Sequence, residues 1–117
     1  MTLFEIDTLK HGDVESIRLR GHLVLGQPIN DLRQKIDNLV SHGESQFVFD
    51  LEEVSRIDSS GVGVLVLILT SSKEAGGSLK LVNPSRQVTQ VLQMCCVLPL
   101  FELFSDEQQA IASFSQT

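Results

Sequence analysis

Phe47-Val48-Phe49-Asp50-Leu51, continued through Val54-Ser55-Arg56-Ile57 to Asp58-Ser59-Ser60-Gly61-Val62-Gly63 and on to Val64-Leu65-Val66-Leu67-Ile68-Leu69, decides the architecture. Gln46 to Leu51 is nearly continuous in apolar character, as expected of a strand buried on both sides in a parallel sheet. Val62 to Leu69 has β-branched content that would suit a second strand, so its flanks settle the reading. Asp58-Ser59-Ser60 supplies helix N-cap chemistry, Lys73 lies near the far end, and Gly76-Gly77 stops the segment after about fifteen residues. A helix buried on most sides, with Val64, Leu65, Leu67 and Ile68 inside and Ser60 exposed in its first turn, follows the strand.

Outward from this unit, Leu3–Leu9 and Val14–Arg20 flank the turn-forming His11-Gly12-Asp13 and read as a hairpin. Ile29, Leu32, Ile36, Leu39 and Val40 fall at three- and four-residue steps, a helix whose stop is Gly43. Downstream, Leu79–Val82 is a short strand. Asn83-Pro84 then opens a helix, as cap and first-turn proline, with Val88, Val91, Leu92 and Cys95 on one face. Leu100–Phe104 is the last strand, and Ser105 with Gln108 forms a capping box for a terminal helix bearing Ala110, Ile111 and Phe114. The order β-β-α-β-α-β-α-β-α defines an α/β fold, a mostly parallel sheet with an antiparallel edge hairpin and helices stacked mainly on one face. If the strands add in sequence order, every helix falls on that face.

The 117 residues suffice for one domain, 1–117. Fifteen acidic against nine basic residues give a net charge of −6, the wrong sign for a nucleic-acid groove or an anionic membrane surface. The chain has neither Trp nor Tyr on which bases or sugars could stack. Met1 to Asp7 is acidic and unlike a secretory signal, and the longest apolar stretch, Gly61–Leu69, is nine residues where a spanning helix needs about 20. A cytoplasmic location without membrane insertion is expected. Cys95 and Cys96 are neighbours, a bridge between them would be strained, and they read as small buried apolar residues in a reducing compartment, with a redox switch as the alternative.

Few sequence features could carry catalysis. His11, His22 and His42 sit near separate turns without ligand spacing and read as solvated loop residues, so no metal site is expected. Asp58 and the Glu52-Glu53 pair, placed in a strand-to-helix loop, read as a cap and solvated charges. Asp50, at the end of the central strand, lacks the acidic pair and late lysine that a receiver-type phospho-acceptor requires. Gly61-Val62-Gly63 is neither a Walker loop nor a dinucleotide fingerprint, and there is no Gly-x-Ser-x-Gly elbow. No cofactor or catalytic residue is assigned. The remaining feature is Asp58-Ser59-Ser60-Gly61-Val62, where a helix begins after a parallel strand. Free amides and the helix dipole there suit an anion, including a phosphate on a serine.

The run from Phe47 through Leu65 resembles the signature of STAS domains, in particular the bacterial anti-sigma-factor antagonists. The similarity continues in Ile17-Arg18-Leu19-Arg20-Gly21-His22-Leu23, in Ala75 to Asn83, and in Leu100 to Phe104. The resemblance implies a non-enzymatic module that works by partner switching. The unmodified antagonist binds an anti-sigma-factor serine kinase of the GHKL type and so frees a sigma factor. Phosphorylation of the second serine of Asp-Ser-Ser-Gly, here Ser60, releases it, and a PP2C-type phosphatase resets it. Asp58, Ser59, Ser60, Gly61 and Val62 would form the partner-binding segment, and ATP would belong to the kinase. Many antagonists carry an acidic residue after Gly-x-Leu, where this chain has Gly21-His22-Leu23-Val24. The alternative reading is a STAS scaffold or regulatory subunit of a larger signalling or transporter assembly.

Overall fold

A computed structural model describes residues 4–115. Leu3, expected to begin the hairpin, lies outside them. The chain forms β1 Phe4–His11, β2 Val14–Leu23, α1 Gln27–Ser41, β3 Gln46–Ile57, α2 Ser59–Glu74, β4 Ser78–Val82, α3 Arg86–Met94, β5 Glu102–Phe104 and α4 Glu107–Ala112. Short 3-10 turns occupy Leu98–Leu100 and Ser113–Ser115. The sheet order is β1-β2-β3-β4-β5, with β1 antiparallel to β2 and every other pair parallel. The α/β architecture expected from the sequence is the one that forms.

The central strand sorts its side chains by parity. Phe47, Phe49 and Leu51 are fully buried in the main core, which they share with Leu32 of α1, Leu65 of α2 and Leu92 of α3. Val48 faces the other way and joins Val14, Val82 and Ala110 in a second, smaller cluster. Thus α4 does not stack with the other helices. The first three helices are crossovers between parallel strands and must share a face if the strands add in order. Since α4 follows the last strand, no crossover constrains it, and it returns over the opposite face.

Other expectations change at element ends. The central strand is twelve residues long, reaching Ile57, because irregularities near Arg18–Arg20 and Gly21–His22 keep β2 paired beside it. Glu52 and Glu53 therefore lie in β3 rather than in a loop, and Glu53 pairs with Arg20 at 2.6 Å. Asp50 sits within the strand, buried on the second face, 3.4 Å from Arg18 Nε. Helix α3 is capped by Ser85, not Asn83. Asn83 takes a left-handed φ of 47°, while Ser85 Oγ accepts from Val88 N at 3.3 Å and donates to Val54 O at 2.6 Å. At α4 the cap is Asp106, which accepts from Gln108 N at 2.7 Å, in place of Ser105. The last strand shortens to Glu102–Phe104 because Pro99 sits in a 3-10 turn. His11 ends β1 and His22 lies inside β2, both half-buried, while His42 is exposed past α1. Leu67 is 47% exposed instead of buried. Both cysteines are exposed rather than in the core.

Candidate functional site

The site forms where β2 and β3 end and α2 begins. Asp58 is extended, with φ −111° and ψ −176°, and its backbone carbonyl accepts the first α2 bond from Val62 N at 3.0 Å. Its two carboxylate oxygens serve different elements. Oδ1 accepts from Gly61 N at 2.9 Å and closes the first helical turn. Oδ2 accepts from Leu25 N at 3.0 Å, in the loop between β2 and α1. One side chain therefore ties the loop to the helix that carries both serines. Desolvation is the largest single influence on Asp58 and pushes its pKa up. Hydrogen bonds from the Leu25, Gly61, Ser60 and Asp58 amides outweigh it together, holding the carboxyl below its ordinary 3.8.

The expected segment divides by exposure. Ser59 is exposed and Ser60 half-buried in the first turn of α2, so Ser60 is less open than the sequence suggests. Among the described residues neither hydroxyl makes a hydrogen bond, whereas Ser72 Oγ further along α2 donates to Ile68 O at 2.6 Å. Gly61 and Val62 are buried beneath that first turn. A Cβ on Gly61 would overlap the carbonyl oxygen of Leu23 and come within 2.6 Å of Ile57 Cγ1. This glycine lets α2 start directly against the ends of β2 and β3. Gly63, one position past Val62, is exposed with open space around its Cβ direction.

Sequence reasoning missed Leu25. Its side chain is 75% exposed and its backbone is fixed by Asp58 beside the helix start. The pairing joins residues 33 positions apart, and no local pattern signals it. Among the described residues no group of three or more His, Cys, Asp or Glu side chains is placed to hold an ion. No helix among them is long and apolar enough to cross a membrane. The arrangement offers an unengaged serine hydroxyl at a capped helix N-terminus, on a strand-to-helix turn tied to the Leu25 loop.

Fold and geometry together define a small α/β domain in which a capped helix starts at the carboxyl ends of parallel strands. The chain belongs to the STAS domain family, whose model matches residues 5–110. Membership makes the domain a binding module rather than an enzyme. It is 29% identical over 75 residues to a candidate anti-sigma factor antagonist of Thermotoga neapolitana, an alignment covering 64% of this chain and 66% of that protein. The match thus spans just under two thirds of that relative's length. The fold superposes on the anti-sigma factor antagonist SpoIIAA in its unphosphorylated form with a TM-score of 0.79 at 27% identity, covering 94% of each chain. On the phosphorylated form of SpoIIAA, from Bacillus, the TM-score is 0.72 at 26% identity, over 94% of this chain and 97% of that one.

Proposed function

We propose that the protein is an anti-sigma-factor antagonist that acts in the cytoplasm as a phosphorylation-switched binding module. In its unmodified form it binds an anti-sigma-factor serine kinase of the GHKL type and frees a sigma factor. The kinase transfers phosphate to Ser60, the complex separates, and a PP2C-type phosphatase restores the hydroxyl. The observation that carries this reading is Ser60 in the first turn of α2, its hydroxyl unengaged, in a turn capped by Asp58. The similarity to SpoIIAA, solved in unphosphorylated and phosphorylated forms, supports it.

The energetics favour release without refolding. A phosphate brings about −1.5 to −2 charges, and an exposed helix N-terminus tolerates negative charge with roughly 0.3–1 kcal/mol of stabilisation. The same charges at a packed interface must be desolvated or paired, and a hundredfold loss of affinity needs only about 2.7 kcal/mol. The test is a titration of wild type, Ser60→Ala and Ser60→Asp against the purified kinase with ADP, with phosphate mapped by mass spectrometry. Ser60→Ala should bind like wild type and never be released by ATP. Ser60→Asp should bind at least a hundredfold more weakly, and Ser59→Ala should remain a substrate. Equal affinity for wild type and Ser60→Asp, or phosphate on Ser59, refutes the assignment.

A further inference from the structure

The end of α3 places two thiols where neither burial nor backbone economy explains them. The helix closes with Cys95 N donating to Val91 O, Cys96 N to Gln93 O and Val97 N to Leu92 O, each at 3.0 Å. The last two bonds form the reciprocal pattern that ends many helices, in which the residue after the cap turns left-handed and glycine is preferred. Here that residue is Cys96, with φ 60°. A left-handed non-glycine residue is disfavoured, and cysteine lacks the side-chain acceptor that lets asparagine or aspartate sit there. Both Cys95 and Cys96 are exposed, and Met94 before them is 81% exposed. Three consecutive sulfur-bearing residues are thus exposed at one helix end.

We propose that Cys95 and Cys96 form a chelating site for a soft cation of low coordination number, monovalent copper being the chemical type. Adjacent Cα atoms lie about 3.8 Å apart, short of the ~4.4–6.8 Å usual across a disulfide, so a direct S–S bond between neighbours is strained. A metal between the sulfurs lengthens the ring and lets them stay further apart. Thiolate and thioether donors select soft ions such as Cu(I). The absence, among the described residues, of any group of three or more His, Cys, Asp or Glu ligands argues against a four-coordinate zinc site and leaves a two-coordinate ion. Binding is a ligand exchange without electron transfer. Cu(I) forms two Cu–S bonds, both thiol protons go to solvent, and the dithiolate complex carries one negative charge. Met94, the exposed residue before the pair, would offer a thioether as a weaker third donor.

The experiment titrates fully reduced protein with Cu(I) under anaerobic conditions against a chromophoric Cu(I) chelator, with the remaining thiols counted by a disulfide reagent. One ion per monomer should protect both thiols, and Cys95→Ser or Cys96→Ser should each weaken binding at least a hundredfold. Cys96→Gly supplies the folding control: it should raise the melting temperature by relieving the left-handed residue while losing the same affinity. Two ions per chain, single variants within threefold of wild type, or an ion held between two chains in gel filtration would each overturn the chelate.

Discussion

Asp58 decides more of the site than either serine, because its two oxygens act on elements that meet only in the folded chain. Its cap on Gly61 N was legible in the sequence, since Asp before Ser-Ser-Gly is local helix-start chemistry. Its hold on Leu25 N was not, because that contact depends on how β2 ends beside β3. Replacing Asp58 by Ala should cost on the order of 1 kcal/mol for the cap, measured by denaturant unfolding. On the proposed function, kinase affinity should fall further than that, because the Leu25 loop is released as well. Outright unfolding of Asp58→Ala would make the residue purely structural. The carboxyl also leaves a pH signature. Its folded pKa lies below the ordinary 3.8, so its stabilisation is complete above that value and disappears as pH falls through the folded pKa. Asp58→Asn should flatten this acid limb of the stability curve, and an unchanged slope below pH 4 would show that other carboxylates account for it.

Among the elements, α2 shows how far periodicity reaches. Its caps and length were readable because they rest on local chemistry. The exposure of Leu67 was not, because an almost wholly apolar helix gives no polar stripe from which to orient it. Cys95 and Cys96 were misplaced for a related reason: the α3 periodicity runs past the point where the helix actually closes. Two glycines in α2 turn this packing into a paired prediction. Gly61→Ala drives a methyl into the Leu23 carbonyl, a backbone atom that cannot rotate aside, and should destabilise by about 1–3 kcal/mol. Gly63→Ala meets nothing within 4 Å and should stabilise by about 0.5–1 kcal/mol, as expected for glycine in a helix interior. Thermal melts of the two variants give the signs directly, and a stabilised Gly61→Ala would show that α2 does not start against β2. If the partner seats on the bare surface at Gly63, the same alanine should weaken kinase binding even as it raises the melting temperature.

At the scale of the whole molecule, the two sides of the sheet are unequal. The sequence order fixed α1, α2 and α3 to one face, where the site is built, and left the terminal helix free to cover the other. That choice is made by Val14, Val48 and Val82, an apolar strip on the second face that needs a lid. The lid is slight: α4 has six residues, far below the length of about 12–15 at which isolated helices are even marginal in water. Ile111 and the following Phe114 pack against the strip. Ala110 is buried in the strip, Ser16 Oγ donates to Glu107 at 3.1 Å, and Ser113 Oγ meets the buried Lys80 Nζ at 2.5 Å, beside the Phe114 ring. Such an element should open without the rest, because its loss leaves the main core intact. In native-state hydrogen exchange, α4 amides should exchange through a partial opening, while β3 and α2 amides exchange only near global unfolding. Ala110→Asp sharpens the test. A charge forced into the strip can cost no more than the free energy of opening α4, since beyond that the helix detaches and the carboxylate is solvated. The variant should therefore lose α4 protection, keep that of β3 and α2, and bind the kinase as wild type does. Equal protection of α4 and β3 in the wild type, or loss of kinase binding in Ala110→Asp, would show that the two faces unfold and act as one.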